Sequence, residues 1–366
     1  MKKILFPLLG TNKGGNILST ISIYKNIDKK NFRPSILLIM EDKKDNFVYK
    51  ILKKKNIKNI EIIKLDFKNN KGLNKFNLII KLIIYFAKNR FDIVHTNDGL
   101  LNFYFSIINI FFNFKLIIHL RNIDNSRRNY LPFFMAKKII CISKFVKKKT
   151  SVSFNYKKLV LYNFVEFFIE KKILKKKHKY FVNKNKNKKI ILFVSNIHSR
   201  KKPENFIKII KKLREFDRNY AGLMFFQANQ SDCKNLKEYI NKNNINKNIF
   251  TFPNHAPHYW IPFIRKFKKK VFLSTSYNEP LGRNLIEAIF NRLTVIANDS
   301  GGHREIVDKS CGILCDTEKI NKTSMIIHKL FENKNHKAKK LNLKLFEEKF
   351  KNEKYFKKIE KIYLNI

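Results

Sequence analysis

Short apolar runs alternate with longer amphipathic segments along the whole chain, and that rhythm leaves few folds open. Lys3–Leu9, Arg33–Met40, Ile60–Leu65, Ile93–Thr96, Leu116–Leu120, Lys138–Ile142 and Leu159–Tyr162 read as buried strands. Helical patterns fill the gaps: Asn16–Asn26, Asp45–Lys55, Lys75–Asn89 and Lys144–Thr150. Strands that alternate with helices predict a parallel sheet covered on both faces. The pattern lapses near Val165 and resumes with Lys189–Val194, Gly222–Gln227, Ile249–Phe252, Lys270–Ser274, Leu293–Ala297 and Cys311–Leu314.

At 366 residues the chain exceeds one ordinary core and suits two domains. The expected division is a doubly wound α/β domain over residues 1–166, a basic linker over 167–188 and a second such domain over 189–344. Residues 345–366 space Phe346, Phe350, Ile359, Tyr363 and Ile366 among lysines and glutamates, the pattern of an amphipathic helix.

The formal net charge is +50. It reads either as drift on solvated faces, since Lys, Asn, Ile and Phe are all in excess, or as attraction to anionic lipid. No zinc-finger spacing or RNA-binding signature accompanies it, so nucleic acid is not an expected partner. Cys141, Cys233, Cys311 and Cys315 lack the second pair or histidine cluster of a zinc site. They read as reduced thiols, which suits the cytosol. Met1–Gly10 has too short an apolar run for a signal peptide, and polar residues interrupt Leu100–Leu120, which reads as a helix followed by a strand. The expected location is cytoplasmic, or peripheral at the inner face of the membrane.

Open parallel sheets bind ligands where strands run into helices. Three such loops carry chemistry. Gly10–Asn16 holds Gly14 and Gly15 before a helix, without the spacing of a dinucleotide fingerprint or P-loop. Ser274–Ala288 places Glu279 in a turn set by Pro280 and Gly282, and Glu287 just over one turn into the helix that begins at Arg283. Two carboxylates with free amides between them suit a ligand having hydroxyls at each end and phosphate in the middle, as a sugar nucleotide has. Asn298–Glu305 repeats the arrangement with Gly301 and Gly302; Glu305 there is explained by the helix dipole.

Glu279-Pro280-Leu281-Gly282-Arg283 through Glu287-Ala288, followed by Asn298-Asp299-Ser300-Gly301-Gly302, resembles the signature of retaining glycosyltransferases of family 4. The Gly14-Gly15 loop, Asp92–His95, Ile140–Ser143 and Tyr162-Asn163 fall in the family's order. The resemblance implies a GT-B fold, two Rossmann-like domains facing across a cleft, with the donor on the C-terminal one. It implies that Glu287 holds the ribose hydroxyls and Glu279 the transferred sugar, with amides near Leu281 and Gly282 meeting phosphate or sugar. Family members usually work without metal or other cofactor, so positive side chains offset the leaving diphosphate. Lys201 falls on the family's lysine, but its arginine position holds Asn196, and Arg200 is the nearby substitute. The donor-binding set implied is therefore Gly14, Gly15, Asn196, Arg200, Lys201, Leu281, Gly282, Arg283 and Glu287. The family's donor-facing histidine corresponds to His119 or Arg121. Phe226–Gln230 replaces a glycine-rich turn near the base.

The expected reaction is metal-independent, retaining transfer of a hexosyl group from a nucleoside-diphosphate sugar to a glycan or lipid-linked acceptor of surface polysaccharide or lipopolysaccharide. The alternatives are a GT-B sugar-nucleotide epimerase and a basic membrane- or nucleic-acid-binding protein on the same scaffold.

Overall fold

The computed structural model describes residues 1–11, 15–41, 46–65, 71–123, 130–150, 153–165, 176–254, 259–333 and 343–366. The chain forms two compact units, one comprising Met1–Phe164 with Phe350–Ile366, the other Val165–Lys349. Both are α/β, each built on one parallel sheet.

Unit 1 begins with β1 (Lys2–Leu9), α1 (Gly15–Asn26), β2 (Phe32–Met40), α2 (Phe47–Lys54) and β3 (Ile60–Lys64). It continues through α3 (Lys71–Lys88), β4 (Ile93–Thr96), α4 (Gly99–Phe112) and β5 (Lys115–Leu120). Then come α5 (Tyr130–Met135), β6 (Lys138–Cys141), α6 (Lys144–Lys149) and β7 (Lys158–Val160). The seven strands lie in the order β3-β2-β1-β4-β5-β6-β7. From β1 to β3 the chain moves towards one edge; from β3 onward it crosses back and moves towards the other. Because such crossovers are right-handed, α1 and α2 cover one face and α3 to α6 the opposite one. β1 pairs with β2 along its full length, from Lys2–Phe32 to Leu9–Ile39, and runs apolar because both its faces are buried.

Unit 2 contains α7 (Lys176–Asn185), β8 (Lys189–Asn196), α8 (Pro203–Phe216), β9 (Tyr220–Gln227) and α9 (Gln230–Lys242). It goes on with β10 (Ile249–Pro253), α10 (Trp260–Ile264), β11 (Lys270–Ser274), α11 (Arg283–Phe290) and β12 (Val295–Asn298). β13 (Gly312–Cys315), α12 (Ile320–Glu332) and α13 (Leu343–Phe350) complete it, and α13 leads back to unit 1. The sheet order is β10-β9-β8-β11-β12-β13, which places the ends of β8, β11 and β12 side by side.

Two segments depart from the sequence reading. The basic stretch expected as linker contains α7, because His178, Phe181, Val182 and Asn185 recur at helical spacing between the lysines. Phe181 packs 4.6 Å from the Phe250 ring and 5.6 Å from Phe263, and His178 lies 5.7 Å from Phe252.

The C-terminal segment is two helices rather than one, since Lys351 takes an extended conformation between α13 and α14 (Asn352–Leu364). α14 packs on the first unit. Its Tyr355, Phe356, Ile359 and Tyr363 join the core formed by α1, α2 and one face of the sheet. Phe164 packs at a tilt against both Tyr355 and Phe356, with ring centroids 4.8 and 5.0 Å away. Lys2 Nζ caps the helix by donating to the carbonyls of Tyr363, Leu364 and Ile366 at 2.9–3.2 Å.

All four cysteines are free. Among the described residues no helix is long and apolar enough to cross a membrane.

Candidate active site

Three neighbouring strands of unit 2 end in loops that hold one another. After β8 the chain turns through Ser199–Lys201 into α8, with Lys202 in the left-handed region at φ 48°. After β11 comes the segment Thr275–Gly282, and after β12 the short 3₁₀ turn Gly301–Glu305. The Thr275 hydroxyl meets the carbonyls of Lys201 and Lys202 at 2.8 and 2.9 Å, and Tyr277 N donates to Arg200 O at 2.8 Å. Asn284 Nδ2 donates to Val194 O at 2.6 Å, tying α11 to β8. On the other side Gly302 N donates to Glu279 O at 2.7 Å and Asn278 N to Ser300 Oγ at 3.0 Å.

Two glycines make this closeness possible. Gly282 sits at φ 98°, which a side chain would resist, and it begins α11 without a capping side chain. The first amides of α11 are thereby left to an anion. A Cβ on Gly301, whose φ is 62°, would stand 2.6 Å from Glu279 O. The β12 loop can therefore press against the glutamate's backbone only with glycine there.

Within this frame Lys201 Nζ lies 2.6 Å from Glu279 Oε2, both side chains largely buried. Burial alone would push the Glu279 carboxyl up. The charge and hydrogen bond of Lys201, with the Arg200 charge nearby, outweigh it and hold the carboxyl below its ordinary value. Arg200 Nε is buried without a hydrogen-bond partner among the described residues. A guanidinium donor so placed, beside an existing ion pair, is an open seat for an anionic oxygen. Glu287 is buried on α11, with Arg283 Nε 3.2 Å from its Oε1. Asn196 ends β8 and is exposed; Leu281 is buried in the turn.

His303 and Thr275 belong to the same assembly and had no role in the sequence reading. His303 is fully buried, its Nδ1 3.0 Å from Asn298 O and its Nε2 3.5 Å from Ser274 Oγ. Burial lowers its pKa despite the Glu279 charge, so the ring is neutral. It donates from Nδ1 to the carbonyl and packs beside Gly282. The only sequence signal was its place directly after the Gly301-Gly302 pair.

The remaining candidates lie in unit 1. Gly14 falls outside the described residues, and Gly15 opens α1. His119, on β5, is buried with its Nδ1 3.3 Å from His95 Nε2, and His95 Nδ1 lies 2.5 Å from the Tyr363 hydroxyl. Burial, reinforced by Arg121, pushes His95 down to about 3 and His119 well below its ordinary value, so both rings are neutral. Arg121, the first residue after β5, is half-buried, donating to Asn163 Oδ1 at 2.9 Å and facing the Tyr355 hydroxyl.

Comparison with known proteins agrees with this architecture. Residues 175–344 match the family described as Glycosyl transferases group 1. The chain is 26% identical over 256 residues to the UDP-N-acetylglucosamine–N-acetylmuramyl-(pentapeptide) pyrophosphoryl-undecaprenol N-acetylglucosamine transferase of Pelagibacter ubique (strain HTCC1062). That match covers 69% of this chain and 67% of the relative. Among solved structures, Anabaena HepE in complex with UDP and glucose superimposes with a TM-score of 0.81 at 17% identity, over 100% of both chains. The lipopolysaccharide outer core galactosyltransferase WaaB, in its apo form, gives 0.73 at 15% identity, again over 100% of both. Residues 175–344 thus carry a group 1 glycosyl transferase domain, and the chain is a glycosyltransferase of the GT-B fold.

Proposed function

We propose that this glycosyltransferase moves a hexosyl group, with retention and without a metal ion, from a nucleoside-diphosphate sugar to a hydroxyl of a lipid-linked glycan, in the assembly of a surface polysaccharide or lipopolysaccharide. The observation that carries the reading is the buried Lys201–Glu279 pair beside the unpartnered Arg200 Nε. The site already has two cations, one carboxylate and a spare donor, which suits a diphosphate next to a sugar.

Glu287 would accept hydrogen bonds from the ribose hydroxyls, and the amides of Leu281, Gly282 and Arg283 would meet phosphate oxygens. Arrival of the diphosphate would draw Lys201 from Glu279 and free that carboxylate for a hydroxyl of the sugar. As the bond from C1 to the phosphate oxygen breaks, positive charge grows on the sugar and negative charge on the leaving group. Lys201 and Arg200 would stabilise the latter. The acceptor oxygen then bonds to C1, and its proton passes to the departing phosphate.

The donor class and acceptor draw support from relatives whose names include UDP, UDP-N-acetylglucosamine and a pyrophosphoryl-undecaprenol acceptor. The test is a thermal-shift screen across nucleoside-diphosphate sugars, followed by calorimetry with the Glu287→Ala variant. A true donor raises the melting temperature by mass action, and the variant should lose at least about tenfold in affinity. Equal donor affinity in the variant would overturn the assignment of Glu287. NMR of the product's anomeric configuration, with and without chelator, tests retention and metal independence.

A further inference from the structure

The two faces of unit 1 differ in what they show to solvent. Among the described residues, the exposed large apolar side chains on α1, α2 and α14 themselves are Phe47 and Leu364, far apart in the chain. The opposite side is another matter. α3 exposes Phe76, Ile80 and Ile84, one turn apart along a single stripe. α4 exposes Leu100, Phe103, Ile110 and Phe111, the last at 65% of its full surface. α5 adds Tyr130 and Phe134. α4 lies against both α3 and α5, so the three stripes form one outer surface.

That surface is also basic. Lys81, Lys88, Lys115, Lys137, Lys144 and Lys148 are exposed on these helices, on α6 and at the strand ends between them. Across residues 71–123 and 130–165 the acids are Asp92 and Asp98 alone. Asp92 accepts from Lys3 N at 2.6 Å and Asp98 caps α4. At its rim Lys157 Nζ stands 5.3–5.7 Å from the rings of Phe134, Phe154 and Tyr156, the first and last of them exposed.

We propose that the outer surface of α3, α4 and α5 docks on an anionic phospholipid bilayer. Protruding Phe and Ile side chains with lysines around them match the two halves of such a surface, acyl chain and charged headgroup. A second copy of the chain is a poor occupant, because two surfaces this positive repel each other. The inference does not depend on the donor-site roles of Lys201, Glu279 and Glu287, which belong to unit 2.

The test is vesicle co-sedimentation of the full chain, comparing phosphatidylglycerol–phosphatidylcholine with phosphatidylcholine alone. The chain should pellet with the anionic vesicles and be released by salt. The combined variant Phe76→Ser, Ile84→Ser, Ile110→Ser, Phe111→Ser should bind at least about tenfold more weakly. The charge variant Lys88→Glu, Lys148→Glu, which leaves the apolar stripes intact, should also bind more weakly. Phe47→Ser, on the opposite face, should bind as the parent does. Stabilisation by a nucleoside-diphosphate sugar, read in parallel, should persist in every variant, which separates failure of docking from failure of the donor reading. No binding to anionic vesicles, or undiminished binding by both multiple variants, overturns the proposal. A parent dimer that the apolar variant converts to monomer overturns it in favour of self-association.

Discussion

Removing the ammonium of Lys201 while leaving the Glu279 carboxylate strands a charge that burial penalises. In the native protein that carboxyl is held below its ordinary value, so it contributes stability above the unfolded pKa and loses it as pH falls through the folded one. Lys201→Met takes away the main cause of the depression and lets burial push the carboxyl up. The variant should be destabilised by about 3 kcal/mol at neutral pH, with a smaller deficit at mildly acid pH as Glu279 takes a proton. Urea unfolding of both proteins at each pH checks this. Adding Glu279→Gln to Lys201→Met should restore most of the loss at neutral pH, since the stranded charge is then gone. An unchanged deficit in the double variant would mean the lysine acts by packing. The placement of the two glutamates, one in a turn and one on a helix, was legible in the sequence because Pro280 and Gly282 mark the turn and Glu287 follows at helical distance. The lysine's partner was not, as 78 residues separate Lys201 from Glu279. His303 was hidden for another reason: a buried histidine has the same letters around it whether it supports a site or only fills a core.

At the scale of elements, the strands and the helices α1, α2, α3 and α6 are legible in the sequence with shifts of a few residues at their ends. Periodicity is strongest where both faces of a sheet must be covered. The reading failed where charge masked pattern. In α7 the packing positions His178, Phe181 and Val182 are scattered among lysines, so composition pointed to a linker although spacing allowed a helix. The structure gives that helix a clear task, seating Phe181 against Phe250 and Phe263. Phe181→Ala should therefore destabilise unit 2 by about 3 kcal/mol, a cost a true linker would not show. Hydrogen exchange across β10 and α10 should report the loss locally, leaving β1 to β7 unaffected. If the amides of β10 and α10 stay as protected as in the parent, the helix is not part of that core.

For the molecule as a whole, the chain passes between units twice, near Phe164 and again near Lys349. Nothing in the local sequence of residues 345–366 says which core its apolar face will join. Amphipathicity states that a face will be buried, never against what, and here the answer depends on Phe32, Phe164 and the sheet far earlier in the chain. α14 brings Tyr355, Phe356, Ile359 and Tyr363 into the core of unit 1. At about 1.5–3 kcal/mol for each large buried side chain, the four contribute roughly 6–12 kcal/mol. A domain's entire margin is only about 5–15 kcal/mol. A fragment of residues 1–164 should accordingly fail to show cooperative unfolding, despite holding all seven strands of its sheet. The hydroxyl of Tyr363 would also be missing from His95, and Lys2 would lose the helix end it caps. Adding residues 350–366 through a flexible linker should restore a cooperative transition. Thermal denaturation followed by near-ultraviolet circular dichroism distinguishes the two fragments. A sharp transition in the shorter one would show that α14 is dispensable to unit 1 and that its packing there reflects position rather than need.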